Sequence, residues 1–362
     1  MTTNQTIMRA AFDAILLWAC LTAAEGGRGS RAKARCCCFV HRQSELRSRS
    51  CPEIRWLTQR QQGRRRDIAI VPDSATCLDG VEDSIKAATI RYGLRQNDKS
   101  TILLHDQTDR ETIGVVTNLS RRLAGLARNN DCRRCWLQRK HCICDRCPPL
   151  GHIPSVRRLF LLTHHKEIGL IVDTAKLIMS SFPTTVRLVV SGIKHEFQPT
   201  LVEMTEVLEQ STSGNGRCLV LFPTDDALTF EEIVDDMQSS ESPCKLDDEP
   251  WSVVVIDGTW SQARKMFSKY LANYSGGNLY RVQLSSNAVA GLDQNESSID
   301  SGHQLRRHPI KWREISTLEA TRLLLKDMHP GGEFDREADM MAQYQEIGNA
   351  AARRQLGPPR EK

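Results

Sequence analysis

From residue 157 onward, short apolar runs alternate with longer segments in which apolar residues recur at helical spacing. The runs that predict strands are residues 159–162, 186–190, 218–222, 253–256 and the less apolar 279–284. The segments that predict helices are residues 168–182, 228–237, 260–271, 317–328 and 333–351, and a polar loop is predicted between the second and third runs. Continuously apolar strands that alternate with helices are typical of α/β folds. The pattern therefore predicts an α/β fold, with a largely parallel sheet and helices on both faces.

Polar residues follow several of the predicted strands. In parallel α/β sheets, ligands bind outside the carboxyl ends of the strands. The residues at these positions are Thr163, His164, Lys166 and Glu167 after the first strand, Pro223, Thr224, Asp225 and Asp226 after the third, and Asp257, Gly258, Thr259 and Trp260 after the fourth. The sequence therefore predicts a binding site at this edge of the sheet.

The segment DGTW, residues 257–260, joins the fourth predicted strand to the next helix. Gly258 permits unusual backbone angles, Thr259 is suited to cap the helix, and Trp260 offers a flat aromatic surface. Arg264, one turn into the helix, and the helix amino terminus favour an anionic ligand. The same residue types are also those of an ordinary helix cap followed by a core indole. From spacing alone, both interpretations stay open.

Five of the thirteen cysteines lie within the sixteen residues CRRCWLQRKHCICDRC, which begin at Cys132. A CxxC pair followed by a CxC pair can bring four thiolates to one tetrahedral ion, for which zinc is the usual occupant. The predicted ligands are Cys132, Cys135, Cys142 and Cys144, with Cys147 or His141 in reserve. Four thiolates leave no open coordination position, so the predicted Zn²⁺ is structural rather than catalytic.

Basic residues surround these cysteines. They are Arg133, Arg134, Arg139, Lys140 and Arg146. Basic rims of this kind are suited to RNA phosphates, and a solvated basic face without a partner is the alternative.

The first 66 residues hold 13 Lys and Arg against 4 Asp and Glu, whereas the net charge of the whole chain is +5. An arm of this composition is predicted to be disordered, with nucleic-acid attachment or targeting as its possible functions. Residues 14–24 have the length of a signal-peptide core, and residues 28–35 resemble a mitochondrial or plastid presequence. We expect a location in the cytoplasm or nucleus, with organellar targeting by the arm as the alternative. No apolar run reaches the roughly 18 residues of a membrane helix, so no membrane partner is predicted.

Six further motifs accompany the two cysteine pairs, in a fixed order along the chain. They are THHKE at 163–167, DTAKL at 173–177, LFPTDDA at 221–227, DGTWSQARKM at 257–266, LRRHP at 305–309 and STLEA at 316–320. In these motifs the chain resembles, over about residues 125–350, the DTW-domain family of tRNA-uridine aminocarboxypropyltransferases. Two positions differ from the usual pattern of that family, which has proline at the place of His165 and asparagine at the place of Asp173.

The resemblance implies a SPOUT-like fold, in which the carboxyl-terminal part of the sheet forms a trefoil knot that holds S-adenosylmethionine. It implies that the 3-amino-3-carboxypropyl group of this co-substrate moves to N3 of a tRNA uridine and that 5′-methylthioadenosine is released. The predicted partner is tRNA, and the oligomeric state is not predicted. The alternatives are a non-catalytic zinc-knuckle RNA-binding protein and a SPOUT-type RNA methyltransferase.

The resemblance also implies roles for individual residues. Asp257 is the candidate base for the N3 proton, and anchoring the amino group of S-adenosylmethionine is the competing role. Trp260 is expected either to stack on a base or to pack in the core. Arg264 and Arg306 are expected to pair with a carboxylate or a phosphate. The remaining residues predicted for the pocket are His164, Glu167, Pro223, Gly258, Thr259, Ser316, Thr317 and Glu319, of which Ser316 and Glu319 also have the spacing of a capping box.

On this interpretation the chain has five segments. They are the basic arm at 1–66, a poorly defined helical or irregular region at 67–124, a cysteine-rich zinc knuckle at 125–155, the DTW catalytic domain at 156–350 and a tail at 351–362. Within the second segment, helices are predicted near residues 81–92 and 117–128, and no function is predicted for residues 67–116.

Overall fold

The computed structural model describes residues 77–94, 106–239, 249–294 and 315–357. The predicted basic arm at 1–66 lies outside these residues, as does the LRRHP motif with Arg306. The predictions made for these two segments stay predictions.

The strands of the described residues form one parallel sheet. They are β1 (Val156–His164), β2 (Val186–Ser191), β3 (Cys218–Leu221), β4 (Trp251–Asp257) and β5 (Leu279–Val282). Their order across the sheet is β2-β1-β4-β3-β5, and each neighbouring pair is parallel. The α/β fold with a parallel sheet is therefore confirmed, and β4 lies at the centre.

Strand β1 shows why both faces of the sheet are covered. Leu159 and Leu161 belong to one apolar core, and Phe160 and Leu162 belong to the other. All four side chains are fully buried. Because successive side chains of a strand point to opposite faces, each face of the sheet requires its own helical layer.

The described helices supply these layers. They are α1 (Cys77–Tyr92), α2 (Gln107–Arg128), α3 (Ala175–Ser181), α4 (Pro199–Thr212), α5 (Phe230–Ser239), α6 (Trp260–Tyr270), α7 (Ser286–Gln294), α8 (Thr317–Asp327) and α9 (Asp335–Leu356). The helices predicted after β3 and β4, and the two carboxyl-terminal ones, are present with shifted ends. Neither α2 nor α9, the longest of the described helices, nor any other combines the length and low polarity needed to cross a membrane.

The polar loop predicted between β2 and β3 is wrong, because helix α4 occupies most of it. Its buried residues include Leu201, Met204 and Leu208, which recur at helical spacing and pack in the second apolar core. Pro199 stands at the first helical position, where its missing N–H costs no hydrogen bond. The apolar stripe is narrow and lies between Thr and Glu residues, so the segment reads as polar.

The helix predicted over residues 168–182 is also wrong in its first half, because α3 begins only at Ala175. Gly169 has a φ of +79°, in the left-handed region that helices exclude. The Asp173 carboxylate accepts a hydrogen bond from the Ala175 N–H at 3.0 Å, and so fixes the start of the helix. Residues 165–174 therefore form a loop after β1, here called the β1–α3 loop.

The cysteine-rich segment shares its core with the sheet. Trp136, Leu137 and Ile143 are almost completely buried, in the same core that contains Leu159 of β1. The segment is also tied to the end of α9, since the Gln138 N–H donates to Gln355 Oε1 at 2.9 Å. Its conformation and the stability of the main domain are therefore linked.

Candidate active site and metal centre

Asp257 is the last residue of β4 and lies at the carboxyl edge of the sheet. Its register partner is Thr163 of β1, and both residues are buried. Thr259 follows as the N-cap of α6, and its N–H donates to Gln262 Oε1 at 2.7 Å. The predicted cap is confirmed, so the strand end and the helix start hold the Asp257 side chain between two ordered elements.

Gly258 is required for space rather than for an unusual backbone angle. It is absent from the described glycines with positive φ, so the freedom of glycine to adopt left-handed angles is not used at this position. A Cβ at this position would lie 3.1 Å from Gln262 Oε1 and 3.2 Å from Met266 Cε. A side chain at residue 258 would therefore require the first turn of α6 to shift by a few tenths of an ångström.

The Asp257 carboxylate is held by the amino end of α8. Thr317 Oγ1 donates to Asp257 Oδ1 at 2.7 Å. Thr317 is the first residue of α8, and the Ser316 hydroxyl caps this helix by accepting from the Glu319 N–H at 3.1 Å. A helix amino terminus carries partial positive charge and stabilises a nearby carboxylate. The contact joins two motifs that are 60 residues apart, and no spacing rule predicts it.

Replacing Thr317 with valine tests this contact. Valine keeps the shape of threonine but removes the donor to a buried carboxylate, so the free energy of unfolding should fall by about 1 to 3 kcal/mol. Serine at the same position keeps the hydroxyl and should recover most of that loss. Denaturant unfolding of the two variants measures the difference, and equal stability of both would show that the hydroxyl contributes nothing.

The end of β1 and the β1–α3 loop bring His164 and Glu167 to the same edge. His164 ends β1, its ring stacks on His165 with centroids 4.4 Å apart, and its Nδ1 accepts from the Lys166 N–H at 3.2 Å. Burial, with the nearby Lys166, lowers the pKa of His164, and burial lowers the pKa of His165 to about 4. Both rings are therefore neutral at pH 7, and Glu167 beside them is buried.

Asp173 and Thr174 join this loop to α8. Asp173 is buried, and its carboxylate accepts from the first N–H of α3, as described above. Thr174 Oγ1 accepts from the Leu318 N–H of α8 at 3.4 Å. The loop, α3 and the helix that holds Asp257 are thus connected in one polar network.

Trp260 lies in an aromatic cluster at the start of α6. It is half-buried and packs on Phe222 with ring centroids 5.9 Å apart, while Phe222 stacks on Phe267 at 4.6 Å. The cluster belongs to the second apolar core. Core packing, one of the two roles predicted for this indole, is therefore confirmed, and part of its surface stays accessible.

The remaining predicted pocket residues do not converge in the same way. Glu319 forms an ion pair with Arg322 at 2.5 Å, with both side chains largely buried. The Glu319 carboxylate is therefore paired with an arginine of its own helix. Arg264 on α6 and Pro223 after β3 are exposed.

The four predicted metal ligands come together. One ligand atom from each of Cys132, Cys135, Cys142 and Cys144 lies within 4.8 Å of all the others. The sulfur atoms of Cys132 and Cys144 are 3.5 Å apart, and those of Cys135 and Cys142 are 3.8 Å apart. Tetrahedral zinc with bonds of roughly 2.3 Å needs sulfur separations of about 3.8 Å, so the cluster fits this ion. Cys147, the reserve, is buried outside the cluster, and burial raises its pKa to about 11.

A buried lysine lies beside the metal centre. Lys176 Nζ lies over the Trp136 ring, 5.7 Å from its centroid, and donates to the carbonyl oxygens of Ile171 at 2.7 Å and Leu170 at 3.3 Å. Burial lowers the pKa of Lys176 to about 8, although the nearby charge of Asp173 acts in the opposite direction and raises that pKa. Four thiolates around Zn²⁺ carry net negative charge, so a neighbouring ammonium group would be favourable. Sequence analysis missed this lysine, because a buried cation has no signature in hydrophobic spacing.

Together, the fold and the site define a parallel α/β protein with a buried carboxylate at the carboxyl edge of its central strand, here called the ligand edge because it is the candidate binding site, and a cluster of four cysteines that could hold a metal ion. A sequence model of the DTW domain matches residues 129–348, which is more than half of the chain. The chain therefore belongs to the DTW domain family.

Two curated relatives carry the same name. The chain is 30% identical over 206 residues to tRNA-uridine aminocarboxypropyltransferase 2 of Macaca fascicularis, a match that covers 55% of this chain and 56% of that protein. It is 27% identical over 198 residues to the Mus musculus protein of that name, a match that also covers 55% of this chain and 56% of that protein. The matches thus span little more than half the length of these relatives. No solved structure matches the chain significantly.

Proposed function

We propose that this protein transfers the 3-amino-3-carboxypropyl group of S-adenosylmethionine to N3 of a uridine in tRNA. The observation that carries the proposal is the buried Asp257, fixed at the ligand edge by Thr317. Membership of the DTW family and the names of the two relatives support the reaction class.

S-adenosylmethionine supplies a sulfonium-activated carbon as the electrophile. The protein must align uridine with it and remove the N3 proton. Asp257 accepts that proton, the N3 electron pair forms the new bond to the methionine Cγ, and the Cγ–S bond breaks with its electrons remaining on sulfur. The leaving group is then neutral 5′-methylthioadenosine. The Thr317 hydroxyl keeps the Asp257 carboxylate in one orientation throughout.

We infer a SPOUT-like domain, in which a trefoil knot holds the co-substrate. Its support is the parallel order in which β4 is inserted between β1 and β3, with the start of α8 against the end of β4. In this arrangement His164 and Glu167 border the pocket from the β1–α3 loop.

Structural zinc at the four cysteines completes the proposal. Cys132, Cys135, Cys142 and Cys144 would hold the ion and leave no site open for substrate. The ion would therefore stabilise the fold and take no part in the transfer.

Mass spectrometry of tRNA tests the reaction. After incubation with protein and S-adenosylmethionine, the proposal expects one aminocarboxypropyl group per modified uridine. A gain of one methyl group would favour the methyltransferase alternative, and unchanged tRNA that nevertheless binds would favour a non-catalytic RNA-binding protein.

The basic rim of the metal centre is the proposed contact for tRNA phosphates. Arg133 is already paired with Asp79 and Glu82 of α1 at 3.0 and 2.8 Å, whereas Arg139 and Lys140 are exposed. Replacing Arg139 and Lys140 with glutamine should weaken tRNA binding and lower the slope of log affinity against log salt by about one to two.

Arg133→Gln is the matched control for this experiment. Because its guanidinium is neutralised by α1, the control should keep the wild-type salt slope. Binding titrations at several salt concentrations measure both slopes. Equal slopes for the double variant, the control and the wild type would exclude the rim as a phosphate contact.

The cellular location is also a proposal. We propose a cytoplasmic or nuclear protein, with mitochondrial or plastid targeting by residues 1–66 as the alternative. Imaging the full chain beside a chain that begins at Asp67 distinguishes them: only targeting by the arm changes the location on truncation.

A further inference from the structure

Helix α2 precedes the residues matched by the DTW domain model, which begin at 129, and yet it contacts the segments that follow β1 and β2. Asp109 at its start forms an ion pair with Lys194, which follows β2. Glu111 forms an ion pair with Lys269 of α6 at 2.7 Å. These pairs link the helix to the segment after β2 and to the end of α6.

Val115 shows how closely α2 approaches the sheet. A Cβ atom added to Gly192, directly after β2, would lie 2.7 Å from Val115 Cγ2. Gly192 also has a φ of +89°, and its N–H donates to Tyr270 Oη of α6 at 2.7 Å. Val115 of α2, Gly192 after β2 and Tyr270 at the end of α6 are thus in close contact.

From this helix, Arg122 reaches the β1–α3 loop. Its Nη1 atom donates to the carbonyl oxygen of Lys166 at 2.5 Å and to that of Ile168 at 3.0 Å. These carbonyl groups flank Glu167, the buried carboxylate of the loop. Arg122 is a charged donor shared by two carbonyl groups, and it restrains the 166–167 and 168–169 peptide planes, of which the first adjoins Glu167.

The second half of the loop is held by a different cation. The carbonyl oxygens of Leu170 and Ile171 accept from Lys176, as described above. Two cationic side chains, one from α2 and one from α3, therefore hold four carbonyl groups between residues 166 and 171. Lys176 lies within the family match, whereas Arg122 does not.

We propose that Arg122 is a positioning residue of the active site, which fixes His164 and Glu167 relative to Asp257 by holding the backbone of the β1–α3 loop. Helix α2 is then part of the catalytic unit, although it lies outside the matched domain. The proposal deepens the proposed function and rests on it for its kinetic consequence. Its structural consequence, an ordered loop, holds whether or not the reaction is the one proposed.

Hydrogen–deuterium exchange of the full chain tests the structural consequence. In Arg122→Gln, amides of residues 165–171 should exchange at least about tenfold faster, the factor that corresponds to the loss of one hydrogen bond to a charged donor. Arg121→Gln is the matched control, because Arg121 is exposed and its described hydrogen bond is to Asn118 on the same helix. The control should exchange as the wild type does.

Steady-state kinetics tests the consequence for the site. Arg122→Gln should lower kcat for the transfer with little change in the affinity for tRNA, and Arg122→Lys, which keeps a charged donor, should recover part of the loss. A general loss of stability would instead speed exchange throughout the domain and would not be restored selectively by lysine. If Arg122→Gln unfolds, Arg122→Met, which keeps the aliphatic part of the side chain but has no donor, takes its place in both experiments.

Loop exchange equal to that of the wild type, in Arg122→Gln or in the Arg122→Met variant that replaces it, would overturn the proposal. Faster loop exchange with unchanged kcat would overturn the positioning role. If the wild-type protein shows no transfer at all, the proposed function fails, while the exchange experiment still decides whether Arg122 orders the loop.

Discussion

Asp257→Asn should abolish aminocarboxypropyl transfer and leave tRNA binding intact. The amide keeps an oxygen that can accept from Thr317, so the local structure should persist, but it cannot take the N3 proton. General-base catalysis contributes about 10² to 10⁴ in rate, and we expect a fall in kcat of that size. Single-turnover transfer assays, together with tRNA binding titrations, measure the two quantities separately.

The same variant distinguishes a base from an anchor of the co-substrate. If Asp257 removes the proton, the rate of the transfer step should fall and the affinity for S-adenosylmethionine should change little. If it binds the amino group of the co-substrate, that affinity should fall instead. Undiminished transfer by Asp257→Asn would exclude both roles.

Cys142→Ser should release the metal and destabilise the whole domain. The cysteine-rich segment contributes Trp136, Leu137 and Ile143 to the main core, so loss of the ion exposes that core to solvent. Structural zinc contributes roughly 10 kcal/mol or more in small zinc domains. Since each kcal/mol shifts Tm by about 2 to 4 °C at this size, the Tm should fall by roughly 20 °C or more.

Cys147→Ala is the control for the metal centre. Cys147 is buried near the cluster but is not one of its four sulfur ligands, so this variant should keep one zinc ion per chain. Elemental analysis measures the zinc content of each variant, and thermal unfolding measures its Tm. Zinc retained by Cys142→Ser, or zinc lost equally by Cys147→Ala, would contradict the ligand assignment.

The central strands could be predicted because they are continuously apolar. Residues 253–256 form the interior of β4, which is buried on both faces. The strand itself extends beyond this predicted run at both ends, from Trp251 to Asp257. Helix α4 could not be predicted in the same way, since its apolar stripe is narrow and its start resembles a loop. The β1–α3 loop was mistaken for a helix for the opposite reason. Its apolar residues recur at helical spacing, whereas the positive φ of Gly169 and the hydrogen bond from the Ala175 N–H to the Asp173 carboxylate impose a loop.

The site was only partly predictable, because its contacts are tertiary. The position of Asp257 at a strand end and the spacing of the four cysteines follow from local pattern. The pairing of Thr317 with Asp257 joins distant segments, and neither the Arg122 contact nor the burial of Lys176 has a periodic signal. Residues whose role depends on what folds against them became visible only in the structure.

The most direct test of the central claim uses S-adenosylmethionine that carries one isotope in its methyl group and another in its aminocarboxypropyl chain. After incubation with the protein and tRNA, the nucleosides are released and the uridines are analysed by mass spectrometry. We predict that only the aminocarboxypropyl isotope enters uridine, at N3, and that Asp257→Asn prevents its incorporation. Methyl isotope in uridine, or no label in tRNA that is bound by the folded wild-type protein, would contradict the claim.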